Sequence, residues 1–252
     1  MSNASAFDGL CVVLVSTRNP LNIGAAARAM SNLGFLRLRV VNPYEASFRE
    51  ARSAVGAAPL LAKAEEYKSV AEAVADCSLV VGTTAATNRE LQHALKPLQR
   101  AAPIIRTRLR SGGRVALLFG SEKRGLANSD LNHCHWLMHI PTREEHTSMN
   151  LGQAVAICLY EIARGETLRR SPSKTALRAD PTATGGENER ITELLIEALR
   201  ASGYMGPRPA AAKEEKIRRM VRRMNLSAAD AELWLGMLRQ MAWKMKPKGD
   251  DQ

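Results

Sequence analysis

The chain has 252 residues, enough for one full domain plus a small one. Hydrophobic residues make up 45% and charged residues 24%, as in ordinary globular proteins, and no apolar run approaches the roughly 20 residues that span a bilayer, so no membrane partner is expected. A formal net charge of +11 points to a polyanion, and an aromatic content of only 4% favours a folded RNA over a stacking platform for single strands.

In chain order, Met1-Ser2-Asn3-Ala4-Ser5 carries neither the basic nor the apolar region of a secretory signal, so a cytoplasmic location is expected. Apolar runs predict strands at 10–16, 36–42, 78–82, 114–119 and 136–140. Helical patterns fall at 23–32, 47–54, 70–75, within 95–109, after Asn128, and from Leu151 to about Ala163. Gly34 and Gly112-Gly113 mark element ends. This alternation over residues 1–165 argues for an α/β domain, a mainly parallel sheet with helices on both faces. Residues 166–186 read as a flexible, partly basic linker.

Residues 187–252 read as a helical C-terminal extension. Ile191, Leu194, Leu195, Ala198 and Leu199 recur at helical spacing, as do Ile217, Met220, Val221 and Met224, and Leu226-Ser227 opens a last helix. The middle helix carries Lys213, Lys216, Arg218, Arg219, Arg222 and Arg223 against Glu214 and Glu215. Such a run is either a solvated face or an RNA-contacting one, and the basic chain favours RNA binding by Arg218, Arg219, Arg222 and Arg223.

Cys11, Cys77, Cys134 and Cys158 form no C-x-x-C pair, and Cys11 and Cys158 sit in apolar segments as small hydrophobes. His133-Cys134-His135 holds metal-ligand types, but no second ligand pair lies nearby in the sequence, so no metal is expected. His93 and His146 are each a lone histidine with no partner that would define a base, and His146 reads as a solvated loop residue.

Three stretches carry the chemistry. The first strand leads into Asn22-Ile23-Gly24-Ala25-Ala26-Ala27-Arg28, a helix whose small residues permit close packing and leave Arg28 projecting. The strand ending at Phe119 meets Gly120-Ser121-Glu122-Lys123-Arg124-Gly125-Leu126, where a glycine lets backbone approach a ligand closely. The strand 136–140 stops at Pro141, and Thr147-Ser148-Met149-Asn150-Leu151-Gly152 opens the next helix with two N-cap residue types. Two strand ends and a helix N-terminus therefore converge on one crevice. No G-x-G-x-x-G follows the first strand, which argues against a dinucleotide enzyme.

Together these stretches resemble the three signature motifs of the SPOUT superfamily, in its RNA ribose 2′-O-methyltransferase branch, over roughly residues 8–165. The domain order is most similar to that of the bacterial tRNA (cytidine/uridine-32-2′-O)-methyltransferases. The resemblance implies a C-terminal trefoil knot, a homodimer, S-adenosylmethionine as donor with no metal, and nucleotide 32 of a tRNA as target. It also leaves open the same chemistry at another tRNA or rRNA site, or RNA binding without catalysis. The donor site implied comprises Thr83, Thr84, Ala85, Gly120, Glu122, Ile140, Thr147, Ser148 and Met149. Arg28 is the implied catalytic residue: the resemblance assigns it to activation of the 2′-hydroxyl, and because a guanidinium is a poor base the physical reading is that it positions the nucleotide and stabilises the developing alkoxide, with Asn22, Ser148 and Asn150 in support and Glu122 either holding Arg28 or capping a turn. Ala86 departs from the family pattern, in which an arginine commonly follows the turn after the third strand; here the next one is Arg89.

Overall fold

The computed structural model describes residues 7–44, 58–85, 92–167, 181–205 and 211–245. β1 (Leu10–Val15) is six buried residues in a row, a pattern suited to a parallel sheet covered on both faces. It is joined by β2 (Arg37–Val41), β3 (Glu65–Tyr67), β4 (Leu79–Thr83), β5 (Leu95–Pro97), β6 (Val115–Phe119) and β7 (Trp136–His139). The order is β3-β2-β1-β6-β4-β7-β5 and every pairing is parallel. The two edge strands, β3 and β5, are additions to the expected set. Each has three residues, too few for a period to show in sequence, and short edges with a proline (Pro97) limit pairing with another chain.

The sheet is covered by α1 (Pro20–Leu33), α2 (Ala58–Ala62), α3 (Val70–Ala73), α4 (Leu98–Arg110), α5 (Asn128–Leu131) and α6 (Leu151–Thr167). The helix expected at 47–54 lies outside the described residues. Leu10, Val12 and Leu14 face Ile23 and Met30 of α1, Ile105 of α4 and Leu159 of α6, while Cys11, Val13 and Val15 face Val70 of α3 and Leu131 of α5. Burying one such side chain contributes about 1.5–3 kcal/mol, so a one-residue slip of β1 would exchange two cores and is strongly disfavoured. The small residues of α1 set its distance from α6: a Cβ on Gly152 would stand 2.6 Å from the Cβ of Ala25.

The extension begins earlier than expected, and residues 181–186 are anchored rather than free. Helix α7 (Gly185–Ala201) opens with a capping box, in which the Thr184 hydroxyl accepts from the Glu187 N–H at 3.2 Å and the Glu187 carboxylate accepts from the Thr184 N–H at 2.7 Å. The N–H groups of Gly185 and Gly186 donate to the carbonyls of Cys77 and Ala75 at 2.7 and 2.6 Å. That turn is itself held by the buried Arg39 guanidinium, which donates to both Asp76 oxygens and to the Ala73 carbonyl.

Helices α8 (Ala211–Met224) and α9 (Ala228–Met245) complete a small cluster on α7, with Ile191, Leu194, Val221 and Leu238 at its centre. Here the structure corrects the reading of α8 as an RNA-facing basic surface. Arg222 is 1% exposed with its guanidinium 3.7 Å from Glu189, and Arg219 is buried and donates to Asn132 Oδ1 at 2.7 Å. Arg218 donates to Glu189 at 3.0 Å, which leaves Arg223 exposed among the four. The helix lies between α7 and the end of α5, so the face carrying Arg219 and Arg222 closes the junction with the sheet domain.

Candidate active site

Three turns at the carboxyl ends of β4, β6 and β7 enclose a cavity of about 360 Å³. The end of β4 is tied to both neighbours: Thr83 Oγ1 donates to the Leu118 carbonyl at 2.8 Å and the Thr84 N–H to the Met138 carbonyl at 3.0 Å. Thr83, Thr84 and Ala85 line the cavity from this turn, Gly120 and Glu122 from the turn after β6. Ile140, Thr147, Ser148 and Met149 line it from the segment that leads to α6. The structure thus gathers all nine residues expected at a donor site around one space. Ala86 and Arg89 lie outside the described residues.

Gly120 is required for a reason other than the expected one. A Cβ there would stand 2.0 Å from the carbonyl carbon of Gly125 and 2.1 Å from the Leu126 nitrogen. The space beside Gly120 is therefore filled by the returning backbone of its own turn, closed by the Gly125 N–H donating to the Ser121 carbonyl at 2.8 Å. This glycine shapes the wall of the cavity rather than leaving room for a ligand.

A chain of side chains joins the three motifs at the rim. Asn150 donates to Asn22 Oδ1 at 2.8 Å, and Asn22 in turn donates to Glu122 Oε1 at 3.1 Å. The same Glu122 oxygen accepts the Asn19 N–H at 3.3 Å. Asn150 also caps α6, its Oδ1 accepting the Gly152 N–H at 2.9 Å. Asn19 was not singled out from sequence, although Asn19-Pro20 is a legible start signal: Asn19 caps α1 through the Leu21 N–H, and Pro20 needs no hydrogen to donate.

Arg28 lies outside the cavity lining and is exposed on α1. Glu122 holds Asn22 and the backbone of Asn19, not Arg28, because it reaches the first turn of α1 rather than its middle. Lys123 and Arg124, which follow Glu122, also line the cavity and bring positive charge to its mouth.

The other titratable groups sort by burial. Cys158 reaches the cavity, but burial pushes its thiol up to about 12, so it stays protonated and is no nucleophile. His135 is pushed down to about 3 by burial and then by the nearby Arg222 and Arg108 charges; its Nδ1 accepts the Val80 N–H at 3.1 Å. His133 falls to about 4 by burial, against the opposing pull of Glu189, and Cys134 rises to about 12 by burial. These three residues serve the packing between the sheet and the extension. His93 is likewise lowered by burial and then by Arg219 and Arg223, and His146 is exposed in a turn of 3-10 helix (Glu144–His146).

The SpoU rRNA Methylase family model matches residues 9–160, which carry all three motifs. The chain belongs to the SpoU rRNA methylase family. This SpoU methylase is 31% identical over 238 residues to the tRNA (cytidine/uridine-2′-O-)-methyltransferase TrmJ of Sodalis glossinidius, covering 94% of this chain and 92% of that one. It is 33% identical over 239 residues to the tRNA (cytidine/uridine/adenosine-2′-O-)-methyltransferase TrmJ of Pseudomonas aeruginosa, covering 92% and 93%. The crystal structure of TrmJ from Z. mobilis ZM4 superposes with a TM-score of 0.76 at 29% identity, covering 92% of this chain and 98% of that one. The likeness to these relatives therefore runs past the family domain and takes in the C-terminal helices of this SpoU methyltransferase.

Proposed function

We propose that this protein transfers a methyl group from S-adenosylmethionine to a ribose 2′-hydroxyl of tRNA, at nucleotide 32 of the anticodon loop, a cytidine or uridine. The observation that carries the reading is the Asn150–Asn22–Glu122 chain, which ties the three motifs of the family to the rim of one cavity. The tRNA substrate is supported by the relatives that match over nearly the full length, extension included.

The residues present fit the donor. A space of about 360 Å³ falls in the range of roughly 300–1,000 Å³ typical of small-molecule sites. Phe119, Met138 and Leu151 give it an apolar floor suited to an adenine, and Lys123 and Arg124 place cations where a carboxylate would be held. When bound, the sulfonium donor supplies the electrophilic methyl group. Turn backbone at Thr84, Gly120 and Met149 orients the bound molecule, and the Asn150 cap keeps that wall rigid. Arg28 donates to the 2′-oxygen as negative charge develops, while the hydroxyl proton leaves to solvent water or a flanking phosphate of the RNA; a guanidinium is a donor and a cation there, not a base. Because Arg28 is absent from the lining of its own cavity, the reading includes a homodimer in which Arg28 of one subunit serves the cavity of the other. The exposed Ile157 and Tyr160 of α6 give that dimer an outward face. The trefoil knot and the cytoplasmic location belong to the same proposal.

Mass-spectrometric mapping of ribose methylation tests it. Loss of the 2′-O-methyl at nucleotide 32 in cells lacking the protein, restored by the purified enzyme with the donor, is the expected result. An unaltered tRNA, or a mark lost from ribosomal RNA instead, would overturn the assignment.

A further inference from the structure

The geometry points to a base-stacking site formed by Arg18 and Tyr44, which holds one unpaired nucleobase of the RNA substrate beside the donor cavity. This rests on the proposed RNA methyl transfer. Arg18 follows β1 and Tyr44 follows β2, two adjacent parallel strands that both end on the ligand side of the sheet. The chain leaves each strand through a non-glycine residue in the left-handed region, Ser16 at φ 51° and Asn42 at φ 48°. Such residues are uncommon and persist where the surroundings hold them. Here the Ser16 N–H donates to the Val41 carbonyl at 2.9 Å and the Asn42 N–H to the Tyr67 carbonyl at 3.1 Å, which fixes the two exits side by side.

The outcome is a paired cation and ring. The Arg18 guanidinium carbon lies 5.9 Å from the centroid of the Tyr44 ring, and Tyr44 is 56% exposed and belongs to neither core of the sheet. Core packing does not require this tyrosine. The pair is also coupled to the active site, since the residue after Arg18 is Asn19, whose N–H is bonded to the cavity-lining Glu122. A nucleobase presents the flat face that a tyrosine ring stacks on, and an adjacent guanidinium adds attraction for the ring and for the flanking phosphate. Reaching a ribose in a loop requires the neighbouring bases to be unstacked from one another, and a stack at the rim gives one of them a new partner. The low aromatic content excludes a platform for many bases and leaves room for this one.

The test uses the full-length protein, S-adenosylmethionine and a tRNA transcript carrying 2-aminopurine next to the methylated nucleotide. Tyr44→Ala and Arg18→Ala should each raise KM for the transcript about tenfold, with kcat and calorimetric donor affinity unchanged, while Tyr44→Phe behaves as wild type. The 2-aminopurine should stay quenched on binding wild type and Tyr44→Phe, where it exchanges its neighbours for the ring, and brighten on binding Tyr44→Ala. An unaltered KM in Tyr44→Ala, or a raised KM with quenching intact, overturns the stacking site while methyl transfer stands. Wild-type protein that transfers no methyl group overturns the reading beneath it.

Discussion

Gly120→Ala tests whether the turn after β6 builds the donor cavity. Its Cβ would stand 2.0 Å from the Gly125 carbonyl carbon and 2.1 Å from the Leu126 nitrogen, where about 3.5–4.0 Å is normal. Both obstacles are backbone, so no rotamer change relieves them and the turn has to open. Opening it loses the 2.8 Å bond from the Gly125 N–H to the Ser121 carbonyl and lifts the buried Leu126. Overpacking costs about 1–3 kcal/mol and the lost hydrogen bond about 0.5–1.5 kcal/mol, roughly 2–4 kcal/mol together. A domain stable by about 5–15 kcal/mol survives that, with Tm lower by about 5–15 °C. Donor binding should not survive it, because Gly120 and Glu122 both line the cavity and move with the turn; calorimetry should show affinity for S-adenosylmethionine lost by about 100-fold or more, some 2.7 kcal/mol. Gly125→Ala is the control. Gly125 has φ 66° with no atom within 4 Å of an added Cβ, so it should cost only about 1–2 kcal/mol of backbone strain and not force the turn open. A Gly120→Ala protein that melts and binds donor like wild type would refute the steric argument.

Arg28→Ala should lower kcat for methyl transfer by about 100-fold or more with donor affinity unchanged, since its contacts matter mainly in the transition state; wild-type turnover would end its catalytic role. Glu189→Gln should loosen the extension by about 3–5 kcal/mol, because Arg218 and the buried Arg222 and His133 share that one carboxylate; hydrogen exchange should speed up in α7–α9 and not in β1 or β6. His133 and His135, neutral in the folded state with values lowered to about 4 and 3, take protons once unfolded, from the ordinary 6.5 downward. Their stabilising effect is complete above pH 6.5 and is lost as pH falls toward 4 and then 3. Tm should therefore drop across that window, and His133→Gln should flatten the slope.

The cavity was legible because its parts are contiguous turns, each at the end of a strand long enough to recognise. The strands β1, β6 and β7 announced themselves by unbroken apolar runs, and the residues after them had nowhere to go but the carboxyl edge. Other features were present in the sequence in a weaker form. Thr184-Gly185-Gly186-Glu187 is a capping-box pattern, yet its threonine and glycines also suit a linker, and only the carbonyls of Ala75 and Cys77 decide between them. The direction of the α8 arginines was not legible. Arg219 meets Asn132 across 87 positions and Arg218 meets Glu189 across 29, so no local pattern distinguishes a buried guanidinium from a solvated one. The same holds for Arg18 and Tyr44, which only the pairing of β1 with β2 brings together.

The inward turn of those arginines changes what an electrostatic test of RNA binding measures. Reversing Arg222 would place a carboxylate beside Glu189 in a buried junction, and removing residues 187–252 would take the Arg219 partner from Asn132 and the Glu187 half of the capping box from the turn that seats Gly185 and Gly186 on the Cys77 and Ala75 carbonyls. Either change disturbs the sheet domain, so weaker RNA binding would not locate the RNA. Two pairs of exposed cations can be altered without opening the junction: Lys216 and Arg223 on α8, and Lys123 with Arg143 at the carboxyl edge of the sheet. Each phosphate contact removed should make the dependence of log affinity on log salt shallower by about 0.7–0.9. Because the cavity, Arg18 and Tyr44 all lie on the carboxyl edge, Lys123→Glu with Arg143→Glu should flatten that slope by more than one unit. Lys216→Glu with Arg223→Glu should flatten it only if the extension reaches round to the same RNA. An unchanged slope in the carboxyl-edge pair would place the RNA elsewhere and remove the support for a substrate entering over the Glu122 rim.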